Sequence, residues 1–318
     1  MMDTIYFLCQ QSMIFCIPLL VVALGELFSE SSGVLNIALE GIMVFGGFWG
    51  ILFISIFQGY MSPTLCLTIA ILISGVSGGL LSLAHAFASV NLKAEQTISS
   101  MALNLFAPAF CIFFARVVHG VEQIPFKNTF RWNNVPFLSK IPFIGSAFFQ
   151  NVYPTTFLGI IILIGSWYVL YKTRFGLRLR SCGENPQAAD SVGINVYKMR
   201  YAGVLISGVL GGLGGLIYII PTSNLFNSSV GGYGYLALTV LVFGQWQPKK
   251  IFFAALFFGF TKTLAAAYSG VPLLLKLGIP DTIYKMLPYV ATLLVLVFFS
   301  SKAIGPASVG VPYDKGSR

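Results

Sequence analysis

Charge is scarce in this chain. Only 9% of its 318 residues are Asp, Glu, Lys or Arg, against roughly a quarter in a soluble domain. With 56% hydrophobic residues and a mean hydropathy of +0.83, a soluble fold of this size cannot hide its apolar surface. Histidine is down to two residues, His85 and His119, each far from any cluster of Cys or carboxylates, so a metal site is not expected. The five cysteines are odd in number and scattered through apolar stretches. That excludes a disulfide or metal framework and leaves them as small buried hydrophobes. No GxxxxGK[ST] is present, so the chain has no P-loop for a nucleotide. HExxH, GxSxG and paired-Cys motifs are missing too, and no catalytic residue or cofactor is expected. The N-terminus, MMDTIYFLC, lacks the basic region of a signal peptide, so the first apolar stretch is expected to be retained.

What the chain has is long apolar runs. Barrel strands alternate apolar and polar residues over about ten positions; these runs do not alternate. The expectation is an all-α polytopic membrane protein forming a single transmembrane domain, 1–318. About nine spans are expected, with a range of eight to ten, near 4–28, 36–57, 64–90, 97–118, 154–171, 201–220, 233–247, 250–269 and 286–301. The net charge of +9 is then a bias of the loops toward the cytoplasm, not a signal for nucleic acid. With this count the polar island 172–200, Lys249 with Lys250, and the tail 302–318 share one side, read as cytoplasmic.

The island, KTRFGLRLRSCGENPQAADSVGINVYKMR, holds six of the nineteen basic residues. Inside it lies a short, punctuated helix. Asn185 suits the N-cap, Pro186 the first helical position, Gln187 to Val192 the body, and Gly193 the left-handed residue that ends it. Under two turns, it needs support from neighbours or a partner.

ALGELFSESSGVLNIALEG, residues 23–41, carries three of the ten acids: Glu26, Glu30 and Glu40. Asn36 is expected to cap the helix that follows. Glu40 then stands one turn into an apolar helix, either as a structural carboxylate or as a residue of the pathway or gate. Gln96 and Asn104 could line a polar path or make ordinary interhelical hydrogen bonds. SGVSGGLLS (74–82) and SGVLGGLGGL (207–216) are small-residue faces for close helix packing, the second of them central to the bundle or to a subunit interface. The long loop 119–153 is read as an outer loop of short surface helices or turns, with Trp132 and Tyr153 at the membrane interface. The stretch 221–235 could form a second part of that mouth, and 270–285 reads as an interfacial helix.

GLRLRSCGENPQAADSVGINVYKMRY (176–201) resembles the cytoplasmic coupling segment of ABC-importer permeases. The match is to the branch that includes branched-chain amino acid, ribose-type sugar and nucleoside permeases. SGVLNIALEGIMVFGGFWG (32–50) is similar to the N-terminal signature of that branch, and VNLKAEQTISSMALNLFA (90–107) and FGQWQPKK (243–250) match further pieces. The wording looks closest to the nucleoside (basic membrane protein-associated) permeases. Gln245 departs from the FGRWQP-like pattern. The resemblance implies a subunit of the inner (cytoplasmic) membrane. Its partners would be two ATP-binding subunits, a second permease copy or paralogue, and an extracytoplasmic substrate-binding protein. It also implies that the short helix docks on an ATPase, offering Glu184, Gln187 and Asp190 beside Asn185, Pro186 and Gly193. The alternatives are the same role for ribose-type sugars or branched-chain amino acids, an ion-coupled secondary transporter, or a membrane-embedded enzyme.

Overall fold

Hydrocarbon offers no hydrogen-bond partners, so an apolar run that enters it must satisfy its backbone internally, and a helix does this within one segment. The computed structural model follows this rule; it describes residues 2–127, 129–135, 139, 145, 148–268, 280–299 and 305–316. Its helices are α1 (Met2–Ser31), α2 (Leu39–Phe57), α3 (Pro63–Ala86), α4 (Gln96–His119), α5 (Pro154–Lys172), α6 (Arg174–Glu184), α7 (Pro186–Ser191), α8 (Val196–Thr222), α9 (Tyr233–Phe243), α10 (Pro248–Ala267) and α11 (Asp281–Phe299). A π turn, Phe87–Asn91, extends α3. Among the described residues, seven helices are long and apolar enough to cross a membrane: α1, α2, α3, α4, α5, α8 and α10.

The bundle is built around α8. Its glycine face lies on α1, α2 and α3 at once, with Gly212 against Gly46 of α2 and Gly78 of α3. Ser74 donates its hydroxyl to the Gly212 carbonyl at 2.6 Å across the same contact. Small residues permit this approach, and in lipid such close dispersion contact is what holds helices together. Of the two readings for SGVLGGLGGL, the central helix is the one found. Helices α4 and α5 lie at the periphery and turn most of their surface outward.

Direction along the bundle follows from α8, which is about 40 Å long at 1.5 Å per residue. Its first residues lie beside the island, and Thr222 lies at the far end. Lys93, the island, Gln245–Gln247 and residues 305–316 gather at the near, basic end. Lys93 pairs with Asp314 at 2.9 Å and Lys315 with Asp190 at 3.6 Å.

Several expectations need revision. The apolar segment 233–247 holds an 11-residue helix, too short to cross a membrane by itself. Gly234 packs on the backbone of Glu40, which stands midway along α8, so α9 starts inside the bundle and runs only to the basic end. α2 begins at Leu39 with Ala38 at its N-cap, so Asn36, whose Oδ1 accepts from the Ala38 N–H at 3.2 Å, stands two residues before the cap position and Glu40 is the second residue of the helix. The loop 119–153 is not helices and turns alone. β1 (Ile124–Pro125) pairs with β4 (Leu225–Phe226), and β2 (Trp132–Asn134) with β3 (Gln150–Val152), both antiparallel. Of 270–285, residues up to 279 lie outside the described residues, and α11 begins at Asp281.

Candidate functional site: a stitched elbow above a basic end

Between Ser31 and Leu39 the chain leaves the helical state in the bundle interior. Backbone groups buried without partners would be costly, and here side chains from three other helices supply them. The Leu35 N–H donates to Gln96 Oε1 at 2.7 Å, and the Asn36 N–H to Glu26 Oε1 at 2.9 Å. Asn104 closes the far side. Its Oδ1 accepts from the Gly41 N–H at 2.7 Å, and its Nδ2 donates to the Ile37 carbonyl at 2.9 Å. The Leu35 carbonyl lies 2.9 Å from His85 Nε2. A carbonyl only accepts, so that nitrogen carries the proton, and Nδ1 accepts from the Ser99 hydroxyl at 3.0 Å.

Asn36 is the centre of this elbow. It is fully buried, its Nδ2 donates to Ser207 Oγ at 3.0 Å, and Ser207 donates on to Glu26 Oε2 at 3.2 Å. Glu30, one turn later on α1, accepts from the Trp246 indole N–H. The elbow is thereby tied to α3, α4, α8 and the loop that begins α10.

Glu40 faces the start of α9. Its two carboxylate oxygens accept from the Gly232 N–H at 2.8 Å and the Gly234 N–H at 2.7 Å. A carboxylate on the first-turn donors of a helix is favoured by both hydrogen bonding and the helix dipole. The charge of Lys262 on α10 also acts on Glu40. Glu40→Ala would strip both N–H groups of their acceptor at membrane depth. The expected cost is about 1–3 kcal/mol for each group left unsatisfied, read as a lowered Tm of the purified protein in detergent. An unchanged Tm would show that the two donors find other partners.

At the basic end the capped helix is as the sequence predicts. Asn185 Oδ1 accepts from the Ala188 N–H at 2.9 Å, Pro186 opens α7, and Gly193 has φ +82°. α7 is a six-residue helix, held by a tail that folds back over it. The Ser308 N–H donates to the Gly183 carbonyl at 2.8 Å, and its hydroxyl to the Glu184 carbonyl at 3.1 Å. Buried Arg200 donates from Nη1 to the Val311 carbonyl at 3.0 Å. The ammonium of Lys93 and the Gly316 N–H hold the Asp314 carboxyl below the usual carboxylate range. Asp190 is turned toward Lys315, while Glu184, Gln187 and Val192 are exposed. A polar groove of about 360 Å³ lies alongside, lined by Arg180, Ser181, Glu184, Gln245, Trp246 and Pro306 among others.

The four pathway candidates Asn36, Glu40, Gln96 and Asn104 therefore meet along one elbow, and the six island residues meet at the basic end. Sequence reasoning missed Ser207, Arg200, Trp246, Tyr218 and Lys262. Lys262 carried a signal, being a lone cation within an apolar span. The others had none, because their partners are distant in sequence; Asn36 and Ser207 are 171 positions apart.

Apolar helices packed on a glycine-faced centre, a broken elbow, a half-length helix and one polar end together define a multi-pass membrane transport protein. The chain belongs to the permease-component family of the branched-chain amino acid transport system, whose pattern it matches over residues 9–297. It is 43% identical over 311 residues to the guanosine ABC transporter permease protein NupQ of Bacillus subtilis, covering 96% of both chains. To the nucleoside ABC transporter permease protein NupC of Lactococcus lactis it is 42% identical over 314 residues, covering 98% of both. To the putative glucose ABC transporter permease protein TsgC13 of Haloferax volcanii it is 30% identical, covering 82% of this chain and 78% of that one. No solved structure matches. As a permease component it is not itself an enzyme in the usual sense.

Proposed function

We propose that this chain is the membrane-spanning permease subunit of an ATP-binding-cassette importer for nucleosides. The observation that carries this is its similarity, end to end and above 40% identity, to a guanosine and a nucleoside permease. The chain forms one permease domain of about nine spans in the inner (cytoplasmic) membrane. The island 172–200 and the tail 302–318 lie on the cytoplasmic side, and the loop 119–153 on the outside. Two ATP-binding subunits dock beneath the basic end, an extracytoplasmic binding protein delivers substrate, and a second copy or a paralogue completes the pore.

On this reading α7 enters a groove on an ATPase, presenting Glu184 and Gln187. Asn185 and Pro186 fix its start and Gly193 its end. Asp190, tied to Lys315, passes its motion to the tail. Closure of the ATPases pushes the basic end, and the elbow carries the push into α2, α4 and α8. Asn36, Glu40, Gln96 and Asn104 are then the joints of the gate, because their bonds cross the helices that must shift.

The test is uptake by the complete importer, with its cognate binding protein, on a panel of nucleosides, pentoses, glucose and branched-chain amino acids. ATP-dependent nucleoside uptake is expected. A sugar or amino-acid winner would remove the nucleoside assignment and leave the permease role. The similarity to TsgC13 makes a sugar the second reading. Uptake without any ATP-binding subunit would overturn the permease role itself.

A further inference from the structure

Thr222 ends α8 at the end of the bundle away from the island, and Tyr233 opens α9 midway back. The stretch between descends into the bundle as irregular backbone. Such backbone is tolerated at membrane depth only where protein buries it or where it lines a water-filled cavity. Here it lines a cavity of about 250 Å³, bounded by Tyr218, Thr222, Ser223, Asn227, Ser229 and Gly231 among others. Two larger cavities, one along α3 facing Phe45 and Trp49 and one beside Pro248 and Lys249 toward the basic end, are lined almost wholly by apolar side chains.

Three independent contacts build its walls. Glu40 grips the Gly232 and Gly234 N–H groups at its floor. β4 is pinned to the loop after α4, with Phe226 opposite Ile124 and the Phe126 N–H donating to the Asn224 carbonyl at 3.1 Å. Tyr218 packs on Tyr233, their ring centroids 4.0 Å apart, and Tyr233 in turn lies under the Lys262 ammonium. Gly231 stands beside the Tyr218 hydroxyl, 3.8 Å from where a Cβ would be. The backbone is in the left-handed region at Gly231 and Gly232, where glycine allows it, and at Ser228, where the surrounding contacts must hold it.

The lining chemistry selects among small solutes. It offers two aromatic rings (Tyr218 and Phe226), one carboxamide, four hydroxyls counting that of Tyr218, a few aliphatic side chains, and no charged side chain. A free amino acid brings an ammonium and a carboxylate, and both would be left unpaired there. A nucleoside brings a flat base with a hydrogen-bonding edge and a polyhydroxyl sugar. Aromatic rings stack on bases, and an Asn carboxamide can pair with a base edge through both its donor and its acceptor.

We propose that this cavity is a nucleoside-binding site within the permease itself, where the base stacks on Tyr218, Asn227 reads its edge, and the Ser223 and Ser229 hydroxyls face the ribose. The proposal rests on the nucleoside reading above. Glu40 is a positioning residue here: it holds the loop and does not touch the ligand.

Two measurements test it on the complete importer in proteoliposomes, with guanosine, adenosine and uridine as probes. In uptake assays, Tyr218→Leu should raise KM at least about fivefold for all three, the lower end of what loss of one stacking partner costs, while Tyr218→Phe stays within about twofold. Asn227→Ala should shift the guanosine-to-adenosine ratio of kcat/KM, because the two bases present different edges. Separately, Asn227→Cys should react with a water-soluble maleimide, and saturating guanosine should slow that reaction at least about fivefold if the cavity is occupied. This second measurement decides the matter if Tyr218→Leu fails to fold. If the wild type imports nucleosides while KM, selectivity and labelling are all indifferent to these changes, the site is refuted and the function stands. If the wild type imports no nucleoside, the function and the ligand assigned to this cavity fall together.

Discussion

Gly212→Leu is expected to abolish the folded protein. A Cβ on Gly212 would sit 2.2 Å from the Ser74 carbonyl oxygen and 3.0 Å from the Gly78 Cα. Both neighbours are backbone atoms of α3, so no side chain can swing away. α8 would have to lift off α3, losing the Ser74 hydroxyl bond and the contact with α2 behind it. Inserting extra methylenes into a packed core costs about 1–3 kcal/mol where neighbours can adjust; here they cannot, so the loss lies at or beyond the upper end. The measurement is the yield of monodisperse protein in detergent by size-exclusion chromatography. Gly165→Leu is the control, since a Cβ there meets nothing within 4 Å, and its yield should match the wild type. Equal yields from both variants would mean that α8 and α3 are not in backbone contact.

Gly193→Pro is expected to stop transport and leave the bundle standing. Gly193 holds φ at +82° and donates its N–H to the Asp190 carbonyl at 2.9 Å. Proline fixes φ near −65° and has no N–H, so both features that end α7 are lost together. A Cβ at this position meets no neighbour, so the effect is on the backbone alone. Gly193→Ala separates the two causes: it retains the N–H and carries only the left-handed penalty of about 1–2 kcal/mol. The expected series in nucleoside uptake is wild type, then Ala partly reduced, then Pro at background. Membrane levels should be equal throughout, and binding of the ATP-binding subunits should weaken in the same order. Full uptake by Gly193→Pro would remove α7 from the drive mechanism.

The island shows how far local rules reach. Asn185, Pro186 and Gly193 specify α7 by bonds spanning at most a few residues, so capping chemistry alone placed it. Charge scarcity and unbroken apolar runs were equally sufficient for membrane helices, and glycine spacing for a close-packed α8. Failures came where an apolar segment did something other than span. The stretch 233–247 has the composition of a crossing helix, but Gly231 and Gly232 in the left-handed region and the Glu40 grip start α9 halfway down. Composition cannot report depth. Asn36 looked like a helix cap because asparagine usually is one before a helix; its Oδ1 does accept from the Ala38 N–H at 3.2 Å, but the helix proper starts only after Ala38, and the Asn36 Nδ2 donates to Ser207.

Composition, apolar runs, capping residues and motif wording were enough for the class of protein, its long helices, the capped helix α7 and the family. Each of these rests on composition or on contacts between near neighbours in the chain. It took the packed fold to show that Asn36, Glu40, Gln96 and Asn104 converge on one elbow, that the tail clasps α7, and that residues 223–231 line a polar cavity. The physical reason is the same in each case. Polar groups buried away from water must find partners, and within this bundle those partners lie on helices far away in sequence, at distances set by how closely the glycine faces let the helices approach.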